Sequence, residues 1–498
     1  MKDKIVILNP DYHFKNDKDR IVMYSKKNVN FDSSADWVSY IHPIQAMILG
    51  LFTIPQTLDL HCRAIEKHFR MPLQEVEKLV SSYINNPTPV YVNVGNEQVL
   101  FPKNVLINYK EHNSENYTYD FELGDLKCDH AIDLSPKRMH KAPHTILFML
   151  TNKCVTKCKY CYADCATKYN PLTTEQILNI IENAHSLRVS YIDVIGGEIF
   201  CRKDWDIIIS KLVEYDMSPS FISTKVPINQ DIAERLYKTG YNNVIQLSLD
   251  SLDEEILKEM IGCQTGYVEK LLHGIKLLQS YGFEIQIDTI LTRLNSDKKQ
   301  LLDLYSLLKE IKLLRYWEIR VPEVSIYTPD TFDAVKASKQ QLTEICKFVE
   351  DNIIPDSPFK IYLSTEALND SFRKEKASDG CFSGGTCGAL SNRFFILPDG
   401  KVSICEQLYW HPQFIIGDLK VQSIEEIWNS DKAIELFNHT RGVFEDKNPC
   451  GKCKILDLCS KNHRRCVVKV IKAYGLDKWN FPDPRCEYAP SFESNLIY

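Results

Sequence analysis

Between residues 144 and 363 the chain alternates apolar runs of strand length with amphipathic runs of helix length, and few folds accept that order. Strands are predicted at 144–150, 189–195, 218–225, 243–250, 283–293, 316–321 and 360–363. Helices are predicted at 171–187, 204–215, 230–239, 268–281, 298–311 and 340–352. A helix between two strands returns the chain to the end of the sheet it started from, so the strands run parallel with helices outside. The expected class is α/β, and the length suits an open, six-unit partial barrel. In such a sheet function gathers at the carboxyl ends of the strands. The first strand opens into Thr151-Asn-Lys-Cys154-Val-Thr-Lys-Cys158-Lys-Tyr-Cys161, a C-x3-C-x2-C pattern. The second opens into Gly196-Gly197-Glu198, so both loops face one rim. Glycines there expose backbone and let a ligand approach closely.

Three thiolates in one loop can hold three corners of a cubane iron–sulfur cluster and leave the fourth iron open to a ligand. A zinc loop, or three unrelated buried cysteines, is the alternative. The C-x3-C-x2-C loop followed one βα unit later by Gly-Gly-Glu resembles the radical S-adenosylmethionine (SAM) superfamily. That resemblance implies a partial (β/α)6 barrel with a [4Fe-4S] cluster on Cys154, Cys158 and Cys161. S-adenosylmethionine would be chelated to the open iron, with Gly196, Gly197 and Glu198 gripping its ammonium. Ser248, in Ser-Leu-Asp-Ser, and Ser223 are further cofactor candidates at the rim, although a hydroxyl at a strand end is also an ordinary cap or turn former.

Of seventeen cysteines, eight crowd into the last quarter. Cys387, Gly400 and Cys405 follow C-x12-G-x4-C spacing, and Cys450-x2-Cys453-x5-Cys459 precedes Cys466 and Cys486. With Leu397-Pro-Asp-Gly400, the helix-like 424–428 and Pro482-Asp-Pro-Arg-Cys486, this resembles the SPASM extension, which carries two auxiliary clusters. The resemblance implies one [4Fe-4S] cluster on Cys381, Cys387, Cys405 and Cys466, and another on Cys450, Cys453, Cys459 and Cys486. The family pattern places a cysteine where this chain has His463, so Cys466 is read as the ligand after a three-residue insertion, with His463 as the alternative. Zinc remains open for Cys450-x2-Cys453 on spacing alone. Glu406 stands where sulfatase-maturating relatives have an acidic residue assigned as a base; a carboxylate that tunes a cluster, or an exposed one, is the plainer alternative. Cys165 has no assigned role.

Residues 1–108 read as a separate small domain, with strands at 4–8, 20–24 and 37–41, helices at 43–52, 57–69 and 72–84, and a hairpin at 90–101. The first two strands are expected to form a hairpin across the turn at 16–19, and the whole outline is a winged helix-turn-helix. Residues 1–110 hold 13 Lys and Arg against 11 Asp and Glu, a weak footprint for DNA. The outline instead resembles the PqqD-like leader-recognition domain of ribosomal-peptide biosynthesis, where a peptide adds as a strand to a sheet edge. The docking edge would be the strand at 37–41 and the helix after it. Residues 109–143 carry Glu111, Glu115, Asp120, Glu122, Asp125, Asp129 and Asp133 without periodicity and read as a linker with a solvated acidic face. The barrel spans 144–370 and the cysteine-rich extension 371–498.

The net charge of −6 gives no pull toward nucleic acid or anionic lipid, and no apolar run reaches membrane-span length. The start reads as a strand without a signal-peptide core, so a cytoplasmic location is expected. The expected function is oxidative modification of a precursor peptide through a 5′-deoxyadenosyl radical, with cysteine thioether cross-links as the product. Carbon–carbon cross-linking, formylglycine formation and an iron–sulfur DNA-binding regulator are the alternatives. The expected partners are a precursor peptide, bound through its leader, and a reductant such as flavodoxin or ferredoxin.

Overall fold

The structure, a computed structural model, describes residues 3–25, 38–109, 118–135, 138–365, 387–438, 448–461 and 465–492. Trp37, Glu111, Glu115, Cys381 and His463 lie outside the described residues, and the readings placed on them have no structural account. The chain divides into two compact units, Met1–Ala142 and Pro143–Tyr498.

In the first unit β1 (Ile5–Leu8), β2 (Tyr12–Asn16), β3 (Ile21–Ser25) and β4 (Val38–Ile41) precede α1 (Pro43–Gly50). Then come β5 (Gln56–Thr57), α2 (Leu58–Phe69), α3 (Leu73–Ser81), the hairpin β6 (Val90–Val94) and β7 (Glu97–Phe101), and β8 (Leu106–Asn108). The expected hairpin between the first strand and the one at 20–24 does not form. The partner of β3 is β2, and the sheet order is β2-β3-β4. The turn is too tight for anything else: Asp17 N–H donates to the Arg20 carbonyl at 2.9 Å, and Lys18 takes φ 73°. This leaves β1 to pair with β5 and β8.

Residues 118–135 and 138–142, expected as part of a linker, pack onto this unit. Phe121, Leu126 and Leu134 join Phe14, Phe52 and Phe101 in one core. The clamp is polar and so has no hydrophobic period to read. Arg20, 0% exposed, binds Asp17 at 3.0 Å and the Ser135 carbonyl at 2.5 Å, and stacks 3.8 Å over the Tyr40 ring. Asp120, Glu122, Asp125, Asp129 and Asp133 are exposed, with Asp120 paired to His13 at 3.1 Å and Asp133 accepting the Ser135 N–H at 2.9 Å.

The second unit opens with β9 (Thr145–Thr151), α4 (Thr174–Ser186), β10 (Tyr191–Gly196), α5 (Trp205–Glu214), β11 (Phe221–Thr224) and α6 (Gln230–Lys238). It continues with β12 (Val244–Ser248), α7 (Glu254–Ile261), α8 (Tyr267–Ser280), β13 (Ile285–Ile290), α9 (Lys298–Leu308) and β14 (Leu314–Arg320). Then follow α10 (Pro329–Asp333), α11 (Lys339–Asn352) and β15 (Lys360–Ser364). Helix starts are set by side chains that accept an otherwise orphaned N–H: Thr173 with Gln176 in a capping box, then Asn229, Asp253, Asp297 and Ser338.

β11 to β15 form a parallel sheet in sequence order, and β9 pairs parallel with β10. The last quarter adds β16 (Arg393–Ile396), β17 (Lys401–Ser403) and β18 (Ile415–Asp418). β16 pairs parallel with the free side of β9, and β17 and β18 follow antiparallel. The helices α12 (Ile424–Trp428), α13 (Asp431–Asn438), α14 (Leu456–Lys461) and α15 (Val467–Tyr474) complete the unit.

Alternation along β12–β14 sorts the faces. Ile245, Leu247, Ile287, Trp317 and Ile319 are fully buried on one face. On the other, Ser248, Asp288, Glu318 and Tyr362 stand in register across four strands, and Ser223, Gln246, Gln286 and Tyr316 form the row beneath. Gln286 and Asp288 are only 1% and 3% exposed, so this face is polar yet shielded from bulk water.

Candidate functional site

The cysteine loop leaves β9 and is held by its neighbours' backbone. Gly197 N–H donates to the Thr151 carbonyl and Glu198 N–H to that of Lys153, each at 2.7 Å. Lys157 and Lys159 N–H donate to the carbonyls of Ile261 and Met260 at the end of α7, at 2.8 and 2.9 Å. Thr328 and Ser325, after β14, donate their hydroxyls to the Cys161 and Tyr162 carbonyls at 3.0 and 3.3 Å. From below, the Tyr169 hydroxyl meets Asn152 N–H at 3.1 Å and stacks on Trp410 with ring centres 5.4 Å apart.

The glycine pair has a steric reason beyond the one expected from sequence. A methyl on Gly196 would stand 2.7 Å from the Thr151 carbonyl oxygen. One on Gly197 would stand 2.6 Å from that of Asn152 and closer still to that of Lys153. The pair therefore lets the strand end lie against the cysteine loop. Glu198, 2% exposed, accepts the N–H groups of Lys225 at 2.9 Å and Phe200 at 3.4 Å. Burial pushes its carboxyl up to about 7, against those hydrogen bonds.

The three sulfurs of the loop have distinct surroundings. The Thr156 hydroxyl lies 3.4 Å from the Cys154 sulfur and 3.3 Å from that of Cys158. Burial pushes the Cys158 thiol up to about 11, with Lys225 and Thr156 working the other way. The Cys161 thiol is raised first by its hydrogen bond with Cys165 and then by burial, while Cys165 is lowered by the same bond. Cys165, unassigned from sequence, is thus the neighbour of the third loop cysteine.

A buried ion pair backs this loop. Asp250, 1% exposed, accepts from Lys225 Nζ at 3.4 Å, from the Tyr160 hydroxyl and from Ile290 N–H at 2.8 Å. Lys225 lies 5.5 Å from the Tyr160 ring centre. Burial works against its charge, but Asp250 and Cys158 hold the ammonium above its ordinary range. Ser248 and Ser223 lie on the polar strand face in separate rows, Ser248 beside Asp288 and Ser223 beside Gln246. Arg320 Nη2 bridges Asp288 at 3.0 Å and Glu318 at 2.8 Å. Burial pushes Asp288 up to about 7 although Arg320 opposes it. Neither the ion pair nor this bridge was anticipated. The available signal was polar residues at alternate positions of strands otherwise expected to be buried on both faces.

The late cysteines gather in two neighbouring sets. Cys405 lies within electrostatic reach of Cys466 and Cys387, and Cys450 within reach of Cys459, Cys486 and Cys453. Cys387, Cys405, Cys450, Cys459 and Cys466 line one cavity of about 100 Å³, whose other walls are mainly Leu, Ile, Val and Phe side chains. Burial pushes the Cys450 thiol up to about 12, so a bound metal would have to displace its proton. Arg465 lines the same cavity and was not singled out from sequence. Glu406 places Oε2 3.9 Å from the Cys405 sulfur, and Gln407 N–H reaches that sulfur at 3.5 Å. Tyr162 is within electrostatic reach of Cys161 in the first loop and of Cys405 and Glu406 in the later set. All-sulfur donor sets in apolar walls fit iron–sulfur clusters, and zinc equally.

Comparison with known proteins resolves that choice. The Radical SAM superfamily matches residues 148–308, and the SPASM iron-sulfur cluster-binding domain matches residues 387–454. The PqqA peptide cyclase of Granulibacter bethesdensis is 24% identical over 354 residues, covering 70% of this chain and 88% of its own. The mycofactocin maturase MftC of Mycolicibacterium smegmatis is 25% identical over 367 residues, covering 72% and 86%. Among solved structures, Streptococcus suis SuiB bound to precursor peptide SuiA superposes with TM-score 0.62 at 16% identity, over 97% of this chain and 100% of that one. SuiB bound to S-adenosylmethionine gives 0.63 at 18%, with the same coverage. At these identities the likeness to SuiB is one of fold.

Proposed function

We propose that this chain, a radical SAM enzyme with an iron–sulfur-binding SPASM domain, oxidatively modifies a ribosomally made precursor peptide and installs cysteine thioether cross-links. Its cofactors are S-adenosylmethionine and [4Fe-4S] clusters, three in the count usual for this domain pair. The observation that carries the reading is the pairing, in one compact unit, of an open three-cysteine loop with a second cysteine-lined cavity. The names of two relatives, a peptide cyclase and a maturase, support a peptide substrate.

Cys154, Cys158 and Cys161 would hold the first cluster, with Gly196, Gly197 and Glu198 beside it for the methionyl end of the cofactor and Ser248 and Ser223 further along the rim. When bound, the reduced cluster supplies a 5′-deoxyadenosyl radical that takes a hydrogen atom from a C–H bond. The residues of the chain hold and shield this chemistry. Asp250 and Lys225 fix Tyr160 against the loop, and the polar strand face faces the reacting peptide. Cys387, Cys405 and Cys466 with Cys381, and Cys450, Cys453, Cys459 and Cys486, would hold two auxiliary clusters that accept the electron released by bond formation. Glu406, beside the Cys405 sulfur, would take the proton lost with it.

We read the six βα units as an open barrel and the first unit as a winged-helix leader-binding domain. β4 ends the sheet β2-β3-β4, and its outer edge followed by α1 is where a leader strand would add. A cytoplasmic reductant of the flavodoxin or ferredoxin type would supply the electron. Among the described residues no helix is long and apolar enough to cross a membrane.

Co-expression with a candidate precursor peptide, sought as a short open reading frame beside the gene, tests the reading. Each cross-link removes two hydrogens, about 2 Da by mass spectrometry, and the cysteine concerned no longer alkylates. An unchanged peptide mass defeats the proposal. A 2 Da loss with every thiol still alkylatable favours the second reading, a carbon–carbon link, which equally closes a ring as the name of the cyclase relative suggests. Replacing Cys154, Cys158 and Cys161 by Ala abolishes deoxyadenosine formation if the first cluster is rightly placed.

A further inference from the structure

Arg465 lines the cavity of the late cysteines and is the one charged residue to do so among the described residues. Its guanidinium is fixed: Nη1 donates to the carbonyls of Asn480 at 2.6 Å and Phe481 at 2.9 Å. It lies within electrostatic reach of Cys450 and Cys459 from one proposed cluster and Cys466 from the other. Asp483, 2% exposed, is the acidic neighbour, but its carboxylate is already engaged by Arg485 at 2.9 and 3.0 Å and by Cys466 N–H at 3.0 Å. Arg485 and Arg465 thus share the field of one carboxylate, and of the two only Arg465 lines the cysteine cavity. Guanidinium stays protonated at any working pH.

A cluster held by four thiolates is anionic, and reduction adds one further negative charge. A fixed cation in apolar walls therefore favours the reduced form, because little water is present to screen it. We propose that Arg465 is the counter-charge shared by the two auxiliary clusters and raises the reduction potential of both. This rests on the reading of the late cysteines as two clusters. It gives that reading a direction: an electron leaving the peptide meets acceptors made easier to reduce by one side chain common to both.

The test uses the full chain, anaerobically reconstituted, in a background where Cys154, Cys158 and Cys161 are Ala, so that only auxiliary signals remain. Redox titration followed by electron paramagnetic resonance gives the two midpoint potentials. Arg465→Gln keeps an N–H for the Asn480 and Phe481 carbonyls but removes the charge, and both potentials are expected to become more negative at unchanged iron content. Arg465→Lys keeps the charge, and its potentials are expected to stay near those of the parent. If Gln loads fully and leaves both potentials in place, or if Lys shifts them as far as Gln does, the proposal is overturned. If Gln loses iron while Lys keeps it, a charge requirement is upheld; iron loss in both assigns the residue to packing and overturns it. A parent chain with no auxiliary signal and no iron would instead defeat the two-cluster reading itself, before either variant is made.

Discussion

At the scale of single residues the site is built on close backbone contact and buried charge. Gly197→Ala must push the cysteine loop away, because the new methyl meets two carbonyl oxygens of that loop. The strain is about 1–3 kcal/mol, and it falls on the segment that presents the sulfurs. Gly124→Ala, where nothing lies within 4 Å, is the control. We expect the first variant to lose bound iron and thermal stability and the second to keep both, as read by iron assay and calorimetry. Asp288 makes the fold sensitive to pH. Its carboxyl is raised from an ordinary value near 3.8 to about 7, chiefly by burial, so the folded state prefers it protonated. Its contribution is therefore greatest below the ordinary value and is lost as pH rises through about 7, with a slope of up to about 1.4 kcal/mol per pH unit. Asp288→Asn should flatten that part of the stability profile in urea unfolding measured from pH 4.5 to 7.5. An unchanged slope would mean that Arg320 and Gln286 already hold the carboxylate charged.

Among the elements, α7 bears most directly on the site, since its last carbonyls take the N–H groups of Lys157 and Lys159. The helix ends at Gly262 in the left-handed region, φ 65°, which a side chain enters at a cost of roughly 1–2 kcal/mol. Gly262→Ala should lower stability by about that much and speed iron loss to a chelator, because the loop loses a fixed support. This helix was not read from sequence, whereas α4, α5, α6, α8, α9 and α11 were. Those carry an apolar stripe over nine residues or more. α7 has only eight, crowded against the turn before α8. The parallel strands were legible as short runs rich in Ile, Leu, Val and aromatic residues, although polar residues interrupt β12, β13 and β14. β2 was missed because Tyr12-His-Phe-Lys-Asn16 is half polar, and with it went the hairpin pairing. The three-cysteine loop and the later cysteines were legible because ligand spacing is local. The Lys225–Asp250 pair and the Arg320 bridge join residues from different strands, and local spacing carries no trace of such meetings.

Considered whole, the chain is two units with separate cores. The first gathers its own buried set, from Val6 and Phe14 to Phe101 and Leu126, and its Arg20 clamp closes within the same unit. Residues 1–142 expressed alone should therefore unfold in one cooperative transition and contain no iron. A non-cooperative melt would mean that its stability is borrowed from the rest of the chain. The second unit carries a constraint on when it can be finished. β9 needs two neighbours, and Arg393 in the second of them bonds to Thr145, 248 residues earlier. At ribosomal rates of about 5–20 residues per second, the strand that launches the cysteine loop waits on the order of tens of seconds with one side bare. Iron delivered during that interval would meet an unfinished sheet. If the loop holds a cluster as proposed, its loading is expected to follow completion of the sheet, so iron and sulfide supplied after synthesis should load the protein better than iron and sulfide supplied during it.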